Sequence, residues 1–198
     1  MSTTTTSPAA IEAQWSLPYR GHVGMICLII AESAIFTIFV VAYLFYIGKN
    51  LSGPTPKEVL ELPIFASVCL LSSSLTIHVA VGALRKSSTA AFRLWWFVTI
   101  VLGAIFLTAT GREWHHLIYD KGLTLSTNLF GTTYYSLVGL HALHVTVGLL
   151  GLFIILFVAL LGKLRQEHCK NVDTFAMYWH FVDVVWIVVF TVVYIVGR

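Results

Sequence analysis

Ionisable side chains occur in stretches of this sequence that are otherwise apolar, and their spacing places several of them on shared helix faces. His180 and Asp183 are three residues apart, as are His141 and His144, and positions i and i+3 of a helix are neighbours. Glu32 lies in the first apolar stretch, apart from these two pairs. Imidazoles can bind metals or carry protons, and a carboxyl group in an apolar segment often takes part in proton movement. These five residues are therefore the first candidates for chemistry.

Three further residues complete the set of candidates. His78 lies in the second apolar stretch, where we expect it to be buried, and Arg112 and Glu113 close the third, directly before Trp114. Tryptophan concentrates at the membrane–water boundary, so we interpret Arg112 and Glu113 as part of a boundary anchor.

The composition shows what kind of molecule must position these residues. The chain has 198 residues, of which 58% are hydrophobic and 11% charged, and its mean hydropathy is +0.85. Soluble domains carry about 25% charged residues, so lipid must cover much of this surface. The net charge of +3 is too small to predict a nucleic-acid partner. Without a CxxC pair, the three cysteines favour neither a zinc site nor a disulfide framework.

Five apolar stretches predict an all-α, polytopic membrane protein: a bundle of five transmembrane helices. Each is long enough for the roughly 20 residues that cross a bilayer, and backbone groups in lipid must bond within the segment. The predicted helices cover approximately residues 22–47, 62–84, 92–114, 129–161 and 174–197. Residues 1–21 are interpreted as a polar tail and not as a signal peptide, and residues 22–198 as the transmembrane domain.

Lysine and arginine predict the orientation of the bundle. The tail and the second and fourth connections hold more of these residues than the opposite side, which favours a cytoplasmic N-terminus. The first helix then runs outward and the fourth runs inward. Glu32, roughly 15 Å into the first helix, would lie at a depth similar to that of His141 and His144. A carboxyl group there must be protonated or paired with an imidazole.

Alternatives remain open for each candidate at this point. Glu32 has either a structural or lipid-contacting role or a part in proton movement. His141 and His144 either form hydrogen bonds between helices or bind haem or a metal, although di-metal bundles need several inward carboxylates. His180 and Asp183 are expected to bond each other or a neighbouring helix, as a polar tie.

Several sequence runs resemble one known family. They are GMICLIIAE at 24–32, FGTTYY at 130–135, GLHALHV at 139–145 and YWHFVDVVW at 178–186. A glutamate followed by an aromatic residue, here Glu113, completes the pattern. Together they resemble subunit III of the haem–copper oxidases, the cytochrome c oxidase subunit III family. Longer members have seven helices, and this chain resembles the five-helix form of several bacterial lineages.

The resemblance implies a non-catalytic subunit of a proton-pumping oxidase in a bacterial cell membrane. Haem and copper would belong to partner subunits, with none bound by this chain, and structural phospholipid is expected. Subunit I would be the main contact, with subunit II and further subunits nearby. The implied role is to stabilise subunit I, bind lipid and support proton uptake.

Other functions stay open as alternatives. The nearest is the equivalent subunit of a quinol oxidase or a nitric oxide reductase. A proton channel or transporter with Glu32, His141 and Asp183 as a relay is more remote, because transporters usually contain inverted repeats or broken helices and neither is visible. A bis-histidine haem anchor is the third alternative.

Overall fold

Five long helices make up the chain in a computed structural model, which describes residues 19–49, 56, 60, 62–164 and 168–197. They are α1 (Arg20–Tyr46), α2 (Ile64–Arg85), α3 (Thr89–Tyr119), α4 (Leu129–Leu160) and α5 (Cys169–Phe190), and α5 continues into a π-helical turn (Thr191–Val196). All five are long and apolar enough to cross a membrane. The predicted fold class is confirmed. Most of the predicted polar tail lies outside the described residues.

Two helices extend further than the apolar stretches predict. The third continues to Tyr119 instead of ending near residue 114, and the fifth begins at Cys169 instead of near residue 174. Hydropathy marks the part of a helix that lies in lipid, whereas backbone hydrogen bonds continue into the polar boundary. A sequence pattern based on apolar residues therefore shortens these two helices.

The helices form a closed ring in which each one packs against two or three others. α2 and α3 pack along their length, α3 also contacts α4, and α1 contacts α4 and α5. The ring closes because α5 packs against α1, α2 and α4. A tight turn joins α2 to α3, and Ser87 in it adopts a left-handed backbone conformation with φ 60°.

Aromatic side chains fill the interior of this ring. Trp96, Trp179 and Trp186 are almost completely buried, and the Trp96 indole donates a hydrogen bond to the Leu152 carbonyl oxygen at 2.9 Å. α1 contributes least to the core, because Phe36 and Tyr43 are its only buried residues. Most of the apolar surface of α1 therefore faces the surroundings of the bundle.

Two glycines allow the Trp179 ring to lie between α3 and α4. A Cβ atom on Gly148 would come within 2.8 Å of that ring, and one on Gly103 within 2.9 Å. Real Cβ atoms essentially never approach so closely, so glycine is required at both positions while Trp179 keeps its place.

Candidate functional site

Glu32 and His144 form an ion pair or hydrogen bond between α1 and α4. The distance from Glu32 Oε2 to His144 Nε2 is 3.0 Å, and the two side chains are 22% and 12% exposed. Phe36 packs on the imidazole, with 4.9 Å between ring centroids. The similar depth expected for Glu32 and the histidine pair is thus observed as a direct contact with His144.

The hydrogen bonds of His144 determine how protons are arranged in this pair. His144 Nδ1 lies 2.8 Å from the carbonyl oxygen of Leu140. A carbonyl oxygen only accepts, so Nδ1 must carry a hydrogen. The contact with Glu32 then holds one proton, either on the carboxyl group or on Nε2. Both arrangements leave the pair with no net charge, which reduces the cost of placing it in lipid.

His141 lies on the same face of α4 but has a different environment. Its side chain is completely buried and stacks on Trp186, with ring centroids 5.0 Å apart. Neither ring nitrogen forms a hydrogen bond with any described residue. The interpretation of His141 as a hydrogen-bonding residue between helices is therefore wrong, because its ring packs among the aromatic rings of Phe36, Phe106 and Trp186.

His180 and Asp183 do not bond each other. His180 Nδ1 lies 2.7 Å from the Ser74 hydroxyl oxygen on α2, so His180 does link α5 to a neighbouring helix. Asp183 is 3% exposed. It interacts with Ser74, but neither carboxyl oxygen has a hydrogen bond of good geometry within the described part of the chain. The predicted polar tie is thus formed by His180 and Ser74.

Serines of α2 accept hydrogen bonds from tryptophans of α5 at two further points. Trp179 Nε1 donates to Ser73 Oγ at 2.8 Å, and Trp186 Nε1 donates to Ser67 Oγ at 3.0 Å. Together with the bond between Ser74 and His180, these contacts join α2 and α5 over about two helical turns. The sequence does not predict the role of these serines, because serine in an apolar helix also bonds its own backbone and gives no distinctive pattern.

Glu113 accepts hydrogen bonds inside the bundle and is more than a boundary anchor. Its Oε1 atom accepts from the Tyr194 hydroxyl at 2.9 Å and from the Tyr134 hydroxyl at 3.3 Å. Both tyrosines are buried. One carboxyl group therefore joins α3, α4 and the π-helical turn. The interpretation of Glu113 as part of a boundary anchor is therefore corrected, because its carboxyl group bonds inside the bundle. Arg112, the other residue of that predicted anchor, is exposed.

A polar cleft of about 290 Å³ lies at the opposite end of α2 and α5. Arg85 and Asp173 form an ion pair at 2.8 Å on its rim. His78 also lines the cleft but is exposed, so the prediction of a buried His78 is wrong. His22, which no sequence pattern indicated, also lines the cleft, and its Nδ1 lies 3.2 Å from the Thr174 hydroxyl oxygen.

The candidate residues are distributed along the bundle and do not converge on one centre. Within the described ranges, no three His, Cys, Asp or Glu side chains come close enough to hold a metal ion. Instead, the contacts of Glu32 with His144, of Glu113 with two tyrosines and of His180 with Ser74 each connect two or three helices. The chemistry that this arrangement supports is the joining of helices by hydrogen bonds.

Comparison with known proteins identifies the family of this chain. A sequence profile described as Cytochrome c oxidase subunit III matches residues 19–198. The chain belongs to the cytochrome c oxidase subunit III family. The resemblance stated from the sequence runs is therefore confirmed, and the chain is part of an oxidase complex in a membrane.

Three relatives illustrate the range of this family. Cytochrome c oxidase subunit 3 of Alkalihalophilus pseudofirmus is 36% identical, over 84% of this chain and 82% of its own length. The protein of the same name from Synechocystis is 40% identical, over 87% of this chain and 74% of its own length. The cytochrome bo(3) ubiquinol oxidase subunit 3 of Pseudomonas aeruginosa is 32% identical, over 85% of this chain and 81% of its own length.

Proposed function

We propose that this subunit III is a non-catalytic subunit of a bacterial cytochrome c oxidase, one that stabilises the catalytic subunit I, binds lipid and supports proton uptake. The observation that carries the proposal is that ionisable side chains form hydrogen bonds between helices of this chain. Glu32, Glu113 and His180 are each bonded to another helix of this chain. Side chains used in this way stabilise the bundle and are not presented to a substrate.

Haem and copper belong to the partner subunits in this proposal. His141 is the most buried imidazole, but its ring is stacked on Trp186 and enclosed by phenylalanines. A ligand to haem would have to direct a nitrogen atom at the iron, and the stacked ring has no space for a macrocycle. A structural role for His141 follows.

The experiment is to purify the oxidase with and without this chain. We expect the enzyme that lacks it to keep its haem spectrum and its initial rate of oxygen reduction, but to lose activity faster during turnover and to take up protons more slowly. The purified chain alone should have no haem absorption. Loss of the haem spectrum together with this chain, or a haem bound to the isolated chain, would contradict the proposal.

We also propose a cytoplasmic N-terminus, from the distribution of lysine and arginine. Single cysteines in place of Ser88 and Lys121, in a variant without native cysteines, test it. A thiol reagent that does not cross membranes should label position 121 from outside the cell and position 88 only after the cells are opened. The reverse pattern would overturn the orientation and leave the subunit role unaffected.

A quinol oxidase subunit is the second candidate, because the relative from Pseudomonas aeruginosa carries that name at 32% identity. The purified complex distinguishes the two. Oxygen consumption with reduced cytochrome c but not with a reduced quinol is expected for the first candidate, and the opposite result would favour the second.

A further inference from the structure

Two adjoining cavities form a groove along the outer face of α2 and α3, at the end of the bundle where α3 finishes. Their volumes are about 590 and 340 Å³, and Phe65, Ala109 and Arg112 line both. The groove is open to the surroundings, since Phe65 is 71% exposed. It lies on the seam between α2 and α3, away from α1 and its contact with α4.

The length of the groove corresponds to one leaflet of a bilayer. Its lining on α3 extends from Val101 to Arg112, a rise of roughly 16 Å along the helix axis. The hydrocarbon core of a bilayer is about 30 Å thick, so this is approximately half of it. Ala104 and Ala109 keep the wall shallow, and the Thr108 hydroxyl is bonded to the Ala104 carbonyl oxygen at 2.7 Å. The wall therefore presents apolar atoms.

One cationic side chain closes the groove at the membrane boundary. Arg112 is exposed and forms no ion pair or hydrogen bond with any residue in the described ranges. Glu113 and His116 line the same end of the groove, but Glu113 accepts hydrogen bonds from two tyrosines and His116 is paired with Asp120 at 2.6 Å. A guanidinium group presents several N–H donors in a plane that fits a phosphate.

We propose that this groove binds one phospholipid of the leaflet on its side of the membrane, with the phosphate on Arg112 and an acyl chain along α3. An apolar channel one leaflet long that ends in a cation matches a phospholipid in both shape and charge. In the proposed orientation this is the outer leaflet. The inference rests on the lipid-binding part of the proposed function and assigns it a site.

The test measures lipid binding to the full-length chain in a detergent without phosphate. Dioleoylphosphatidylglycerol is added, and native mass spectrometry gives the fraction of chain that holds one lipid. We expect Arg112→Gln to bind about tenfold more weakly, because a charge-assisted hydrogen bond is lost, and Arg112→Lys to retain part of the affinity. Lys121→Gln removes the same charge from the third connection and should bind like the unaltered chain.

The groove itself is tested by filling it. Thr108→Phe should reduce binding, whereas Leu150→Phe, at a 59% exposed position on α4, should not. Dioleoylglycerol, which lacks the phosphate, should bind at least tenfold more weakly than the phospholipid. Equal binding by the Arg112→Gln variant, or equal binding of the two lipids, would overturn the proposal.

A last experiment, on the assembled oxidase, shows whether a lipid or a protein occupies the groove. A photo-crosslinker on a cysteine in place of Phe65, on the α2 wall of the groove, should attach to phospholipid, and attachment to another polypeptide would overturn the proposal. Copurification of the Arg112→Gln chain with the haem-containing subunits is measured in parallel. If copurification persists while lipid binding is unchanged, the lipid site fails and the subunit role stands.

Discussion

The pair of Glu32 and His144 shows how a membrane helix can contain a carboxyl group at moderate cost. The hydrogen bond from His144 Nδ1 to the Leu140 carbonyl oxygen fixes the imidazole, and the contact with Glu32 then needs a single proton. This contact is the main polar connection of α1, whose core contribution is limited to Phe36 and Tyr43. We therefore expect it to contribute measurably to the attachment of that helix.

A double-mutant cycle measures this contribution. Glu32→Leu and His144→Leu should each lower the free energy of unfolding, and the double variant should lose less than the sum of the two. The expected coupling is about 0.6 kcal/mol and no more than about 1.7 kcal/mol, the values that double-mutant cycles give for hydrogen bonds between membrane helices. Unfolding by dodecyl sulfate in mixed micelles, followed by tryptophan fluorescence, gives the values. A coupling of zero would show that the contact does not hold α1.

Glu113 and its two tyrosines give a second test at the scale of single residues. Tyr194→Phe removes the 2.9 Å hydrogen bond and should cost about 1 kcal/mol of unfolding free energy, whereas Tyr134→Phe removes the 3.3 Å bond and should cost less. Tyr119→Phe is the control, since Tyr119 is 74% exposed. The same micelle titration applies, and a larger loss for Tyr134→Phe would contradict the ranking.

At the scale of helices, the bundle depends on how α2 and α5 are joined. Ser73→Ala leaves the buried indole N–H of Trp179 without an acceptor and should lower the free energy of unfolding by about 1–3 kcal/mol. Ser33→Ala is the matched control, because the Ser33 hydroxyl bonds the Ile29 carbonyl oxygen of its own helix. An equal effect of both changes would mean that the contact between α2 and α5 adds nothing specific.

The glycines around Trp179 give a prediction for the packing of α3 and α4. Gly148→Ala and Gly103→Ala place a methyl group within 3 Å of the indole ring and should each cost about 1–3 kcal/mol. Gly111→Ala is the control in the same helix as Gly103, because nothing lies within 4 Å of its added carbon. Since alanine is the better helix former, Gly111→Ala should be neutral or stabilising. Thermal denaturation of all three variants in one detergent compares them.

The sequence predicts the helices of this structure better than it predicts the contacts between them. Apolar length alone predicts five helices, and depth along oppositely directed helices predicts that Glu32 approaches the His141/His144 face. Depth does not say which histidine turns towards α1, because that depends on helix rotation and on the aromatic residues around it. The sequence also does not predict the acceptor serines or the bonds from Tyr134 and Tyr194 to Glu113. These contacts depend on which helices pair, and the paired helices are far apart in the chain.

At the scale of the whole molecule, the ring of helices encloses its own core. Trp96, Trp179 and Trp186 are buried by residues of this chain alone. We therefore expect the chain to fold without the catalytic subunits. Produced alone and placed in lipid nanodiscs, it should give a near-ultraviolet circular dichroism band from ordered tryptophans and a single cooperative transition on heating. A helical far-ultraviolet spectrum without that band would mean that the core orders only in the complex.

The wide turn at the end of α5 makes the spacing of residues, and not only their identity, part of this fold. A π-helical turn closes its hydrogen bonds over five residues instead of four, so it holds one residue more than an α-helical turn. Each residue advances an α-helix by about 100°. Deleting one residue between Thr191 and Val193 would restore α-helical geometry with every remaining side chain unchanged. Tyr194 would then reach Glu113 from a regular α-helical turn. The number of residues in the last turn therefore affects this bond as much as their identity does.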